Sequence, residues 1–211
     1  MRFTTIFFDL DDTLYPSRAG LWQAIKERMN DYMRERLHIP ENDIQPLREK
    51  YYLQYGTTTR GLQKHHNIDT EDFLAYVHDL PLKDYLIPDS VQRSVIASLP
   101  SRKVIFTNAD VPHARRVLTV LNLSDLFENI VDVNAIAPYC KPMRESFEIA
   151  MKFAGENVPS RCVMIDDLWH TTRAAREAGM FSILYGGSWT IDDADAHFTD
   201  WTDLVNILEA Q

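Results

Sequence analysis

The sequence predicts an α/β fold: a doubly wound parallel sheet carrying an inserted all-helical segment. Three observations lead there. From Pro88 onward, short apolar runs alternate with stretches of helical periodicity. Thr4–Asp9, near the N-terminus, is a similar apolar run. Everything between Tyr15 and about Leu86 has helical spacing and no strand-like run. Alternating helix and strand builds parallel sheets, because each parallel connection has to cross over the sheet. The expected organisation is a core from residues 1–15 and 87–211, with a helical unit at 16–86.

Each element has a local reason. In the first helix Leu21, Trp22, Ile25, Met29, Tyr32, Met33 and Leu37 recur at three- and four-residue steps. A second runs from Gln45 to about Tyr55 and stops near Gly56. Thr57 to His66 forms a short third, capped by Thr57, Thr58 or Thr59. Asp69 or Thr70 opens a fourth through Phe73, Leu74 and Val77. The proline-punctuated Leu80 to Pro88 is a return connection. Then come helix Asp89–Leu99, strand Lys103–Thr107, helix Pro112–Leu121 and strand Asn129–Val133. Helix Arg144–Phe153, strand Arg161–Ile165, helix Thr171–Ala178 and strand Phe181–Leu184 follow, with a last helix over about Asp200–Glu209.

The strand ends carry the chemistry. Ile6-Phe7-Phe8 runs into Asp9-Leu10-Asp11-Asp12-Thr13. Val104-Ile105-Phe106 ends in Thr107-Asn108, and Val163-Met164-Ile165 ends in Asp166-Asp167. Lys141 lies in a loop between the last two, just before a helix. Ligands of open α/β sheets bind beyond the carboxyl ends of the strands. Carboxylates packed this closely stay partly protonated unless a cation neutralises them. All-oxygen donors favour Mg²⁺. Acidic pairs, a hydroxyl and a lysine are what phosphoryl transfer needs: a metal site, a nucleophile and groups that offset negative charge.

Composition narrows the partners. The 211 residues are 45% hydrophobic and 25% charged, an ordinary globular mixture. A net charge of −9 argues against a nucleic acid polymer, whose binding needs clustered Lys and Arg. The apolar run at the N-terminus is cut at Asp9, so neither a signal peptide nor a membrane span is expected. Cys140 and Cys162 match neither a disulfide framework nor a zinc motif. Free thiols in a reducing cytoplasm are the simpler expectation.

The order Asp-x-Asp-x-Thr (Asp9 to Thr13), Thr107, Lys141 and Asp166-Asp167 resembles the haloacid dehalogenase superfamily. These motifs span most of the chain, and together they are far more specific than any one alone. The resemblance implies a Rossmann-like core with a helical cap between the first and second motifs. It implies Asp9 as a nucleophile that becomes an aspartyl phosphate, and Asp11 as general acid and base. Dehalogenases of the superfamily generally lack the second carboxylate, because a halide leaves without a proton. Thr107 then binds a phosphoryl oxygen, with Asn108 adding an amide, and Lys141 stabilises charge. Mg²⁺ is held by Asp9, the Asp11 carbonyl, Asp166 and Asp167, with Asp167 the direct fourth-motif ligand and Asp166 acting directly or through water. Relatives often read Asp-Asp-Ser-x-x-Asn, whereas this chain has Leu168 in place of the small polar residue and Thr171 in place of Asn.

A narrower resemblance is to pyrimidine 5′-nucleotidases. It rests on Asp9 to Pro16, on Tyr51 to Leu62 with its Tyr-x-x-Tyr-Gly and Arg-Gly-Leu, and on Phe106-Thr107-Asn108-Ala109. It implies a small phosphorylated metabolite, a nucleoside monophosphate, as substrate of a monomer or homodimer. Tyr52 and Tyr55 would stack on the base and Arg60 bind a polar edge; packing between cap helices is the competing reading for the tyrosines. A sugar-phosphate phosphatase or a β-phosphoglucomutase-like mutase is the alternative activity, and a non-catalytic scaffold the alternative class. Adjacent His65 and His66 point about 100° apart on a helix and read as a solvated face rather than a metal pair.

Overall fold

The structure, a computed structural model, describes residues 2–188 and 190–211. It contains two compact units, Met1–Pro16 with Leu86–Gln211, and Ser17–Tyr85.

The first unit is built on a parallel sheet. Its strands are β1 (Thr5–Phe8), β2 (Arg102–Phe106), β3 (Asn129–Val131), β4 (Cys162–Asp166), β5 (Phe181–Tyr185) and β6 (Ala196–Phe198). They lie in the order β3-β2-β1-β4-β5-β6. The sequence reading of a doubly wound parallel sheet holds. It missed β6, whose three residues Ala196-His197-Phe198 form no apolar run at the sheet edge. Chain direction across the sheet reverses between β1 and β4, the topological switch point where α/β folds open a crevice for ligands. Pairing of Phe8 with Ile165 brings Asp9 and Asp166 to the same edge.

Buried residues face both ways from β1. Phe7 packs edge-on to Phe106, which meets Phe147 at 5.5 Å on the next helix over. Phe8 turns the other way, towards Phe127 and Trp201. Covered on both sides, the central strands read as continuous apolar runs rather than alternating ones.

The second unit holds α1 (Leu21–Glu35), α2 (Glu41–Tyr55), α3 (Thr58–His66) and α4 (Thr70–His78). Helix α2 begins four residues before the expected Gln45 and carries Pro46 inside it. Thr57 is the cap of α3, accepting from the Arg60 N–H at 3.1 Å, and Asp69 caps α4. Gly61 lets α3 lie against α2, since a Cβ there would fall 2.2 Å from the Tyr51 ring. His65 and His66 are not merely solvated: Tyr55 Oη lies 2.7 Å from His65 Nε2 and Tyr51 Oη 2.9 Å from His66 Nε2. These pairs tie α2 to α3.

The remaining helices of the first unit are α5 (Ser90–Ser98), α6 (Val111–Val120), α7 (Arg144–Phe153), α8 (Trp169–Glu177) and α9 (Asp203–Glu209). Among the described residues, no helix is long and apolar enough to cross a membrane.

Candidate active site

The carboxyl ends of β1 and β4 deliver the acids. Asp9 follows β1 and is buried, and its N–H bonds the Ile165 carbonyl at 2.9 Å. Asp166 ends β4 and is buried; Asp167 follows it, half-buried. Asp9, Asp166 and Asp167 each offer an oxygen within 4.8 Å of the others.

Lys141 is the counter-charge. Its buried ammonium donates to Asp9 Oδ1 at 2.6 Å and to Asp166 Oδ2 at 2.7 Å. The two carboxylates raise its pKa against the opposing pull of burial. Thr13 closes the other side. Its hydroxyl donates to Asp9 Oδ2 at 3.0 Å and accepts from the Asp167 N–H at 3.1 Å, linking the first acidic loop to the last. Both Asp9 oxygens are therefore addressed. Asp12, in the same loop, sits at φ 61°. Asp tolerates that left-handed conformation, so a turn role suits it.

Burial and the neighbouring acids push Asp9 up to about 7 and Asp167 up to about 9, with desolvation the largest cause for both. Three carboxylates against one ammonium leave two negative charges, which one divalent cation would neutralise. The all-oxygen donor set fits Mg²⁺ or a similar hard ion. Such binding has a pH signature, because ligand carboxylates must lose protons. In the cation-free protein both raised pKa values favour the protonated fold. That contribution is whole below the ordinary range near 3.8 and is lost as pH rises through about 7 and about 9. Mg²⁺ at a fixed concentration is accordingly expected to raise the melting temperature more at pH 8 than at pH 6. An equal rise at both would place the ion away from these acids.

The second strand contributes Thr107, which is buried and accepts from the Ala109 N–H at 3.0 Å, leaving its hydroxyl proton to donate. Asn108 holds the Lys141 loop. Its amide donates to the Lys141 carbonyl at 3.0 Å and accepts from the Lys141 N–H at 2.9 Å. That two-way clasp fixes the loop that aims the lysine.

The haloacid dehalogenase-like hydrolase model matches residues 3–179, which include every one of these groups. The chain belongs to this family. It is 31% identical over 195 residues to phosphate metabolism protein 8 of Saccharomyces cerevisiae, covering 85% of this chain and 60% of that one. The chain thus spans somewhat less than two thirds of that relative's length. Among solved structures it resembles the 2-haloacid dehalogenase of Pseudomonas syringae, at 19% identity, TM-score 0.64 and 99% coverage of both chains. It also resembles the HAD phosphatase of Thermococcus onnurineus, at 19% identity, TM-score 0.63 and 97% coverage of both. A third is YfnB of Bacillus subtilis, a structure bound to magnesium, at 15% identity, TM-score 0.62 and 99% coverage of both. These likenesses are of fold.

The N–H of Leu168 donates to Asp166 Oδ1 at 2.9 Å, so the acid has a donor even though residue 168 is apolar. Thr171 is buried, and His170 packs edge-on against Trp169.

Asp11 stands apart from the acidic trio. Its Oδ1 accepts from Tyr15 Oη at 2.7 Å and lies 2.8 Å from His113 Nε2. Neither partner was read from the sequence as a site residue. The available signal was that Tyr15 follows Asp11 by four residues and His113 lies in the first turn after the Thr107-Asn108 loop.

The three candidates in the helical unit divide. Tyr52 is exposed. Tyr55 is engaged with His65. Arg60 is buried, its guanidinium donating to Gln63 Oε1 at 3.2 Å.

Proposed function

We propose that this chain is a Mg²⁺-dependent phosphomonoesterase of the cytoplasm that works through an aspartyl phosphate and takes a nucleoside 5′-monophosphate as substrate. The observation that supports it best is the state of Asp9. One oxygen is held by Lys141 and the other by Thr13, beside two further acids. A carboxylate fixed in this way is poised to attack.

Asp9 forms a bond from a carboxylate oxygen to phosphorus as the ester P–O bond breaks, and Asp11 gives the departing oxygen its proton. Water then attacks phosphorus, Asp11 takes a proton from it, and the Asp9–phosphorus bond breaks to release phosphate. Thr107 donates its hydroxyl to a phosphoryl oxygen, and Lys141 offsets the charge that develops there. Asp9, Asp166 and Asp167, with the Asp11 carbonyl, would hold Mg²⁺. When bound, that ion supplies charge neutralisation for the phosphoryl oxygens and the crowded acids.

The deciding experiment is phosphate release from nucleoside monophosphates and sugar phosphates, with and without Mg²⁺. Release confined to Mg²⁺ and strongest on nucleotides supports the reading. Preference for a sugar phosphate would move the substrate to that class, and no release from any ester would leave a phosphate-binding scaffold.

The helical unit is assigned the cap role, setting substrate choice. Tyr52 is its exposed aromatic candidate for stacking on a base. Tyr52→Ala is expected to raise KM for the preferred nucleotide at least roughly fivefold, the lower end of base stacking. KM for p-nitrophenyl phosphate, which carries no base, should hold. An equal change on both would return Tyr52 to a structural role.

A further inference from the structure

We infer that His113 and Tyr15 form a positioning pair that holds the Asp11 carboxyl group in place for proton exchange with the leaving group. The inference rests on the phosphatase reading above and deepens it.

Two donors from separate parts of the chain converge on Asp11 Oδ1. Tyr15 reaches it from the turn after β1, and His113 from the first turn of α6. Both are buried. An ionised carboxylate has no hydrogen to give, so the facing His113 nitrogen carries one and donates. His113 is itself held from behind. Its backbone N–H donates to Asp110 Oδ1 at 3.1 Å, and the neighbouring Val111 N–H donates to Asp132 Oδ2 at 3.2 Å. Asp110 and Asp132 thereby lock the first turn of α6, and the imidazole position follows.

The consequence is chemical. Anchoring at Oδ1 restricts the side-chain rotation that would otherwise blur the aim of the carboxyl group, which first gives a proton and later takes one.

The test uses His113→Leu, His113→Gln and Tyr15→Phe in the full chain, with melting curves to confirm folding. A structural histidine would change stability alone. A positioning pair changes how the rate depends on the leaving group. An alkyl phosphate needs a proton on its departing oxygen, whereas dinitrophenolate departs without one. For His113→Leu, kcat/KM on an alkyl phosphate is expected to fall roughly 10- to 100-fold, part of the usual general-acid contribution. On dinitrophenyl phosphate, kcat/KM reads only the first displacement and should stay within roughly threefold. There kcat and KM should fall together, because the water step still needs Asp11 as base. His113→Gln, which keeps an N–H at that reach, should recover most of the alkyl rate, and Tyr15→Phe should repeat the leaving-group pattern more weakly. Equal kcat/KM losses on both esters, or no loss on either, overturn the pair and leave the phosphatase reading standing. A wild-type chain that releases phosphate from no ester overturns that reading, and the pair falls with it.

Discussion

Asp9→Asn is expected to fold normally and lose at least a thousandfold in phosphate release, or about 4 kcal/mol of barrier lowering. The two halves of that statement have separate physical grounds. An amide oxygen is no nucleophile towards phosphorus, so the covalent route closes. Folding survives because Asn has the same shape, and its carbonyl oxygen can still accept from Lys141, which keeps its second partner in Asp166. Burial already pushes the Asp9 carboxyl up to about 7, so the fold does not require a charge there. Melting temperature and phosphate release, measured on one preparation, check both halves. Retained turnover would transfer the nucleophile role to a water molecule. A collapse of melting temperature would mean that Asp9 is chiefly the lysine's structural partner.

How much of this could be read from the sequence depended on whether the cause was local. Strands β1, β2, β4 and β5 were legible because a strand covered on both faces is a continuous apolar run, and Ile6 to Phe8 or Val163 to Ile165 cannot easily be anything else. Short β6 at the edge carries no such run. Helix α2 was placed too late because Pro46 looks like a first-turn residue, although the helix already begins at Glu41. The acids, Thr107 and Lys141 were legible because each sits at a strand end or in the loop between strand ends. The roles of Asn108, Tyr15 and His113 were not. Asn108 acts on a residue 33 positions away, and His113 meets Asp11 across 102 positions. Parallel pairing of β1 with β2 makes the Asp11 and His113 segments neighbours, pairing of β2 with β3 does so for Asn108 and Lys141, and no spacing rule encodes either.

Lys141→Met is expected to be the most destabilising change in the first unit, by about 3–5 kcal/mol near pH 8 without divalent cation. Methionine fills a similar volume and keeps the apolar contact above Phe106, where the ammonium now lies 5.3 Å from the ring centroid. What it removes is the ammonium that bridges Asp9 and Asp166. The folded-state pKa of Asp9 must then rise further, since Lys141 is the main influence lowering it. A carboxyl whose folded pKa lies above its unfolded value stabilises the fold at low pH, and that contribution is lost as pH rises through the folded value. The deficit should accordingly shrink on acidification to pH 5, read by urea unfolding at both pH values. A deficit independent of pH would mean that Lys141 acts through packing. Mg²⁺ provides the second half of the test. With three acids and no ammonium, the variant should gain more in melting temperature from the ion than the wild type does. Its kcat should nonetheless stay roughly a hundredfold or more below wild type, the cost of losing a fixed donor to the developing phosphoryl charge. If the ion restored the rate along with the stability, Lys141 would be only a counter-charge for the acids, and the stabilisation of the transition state would have to come from elsewhere in the site.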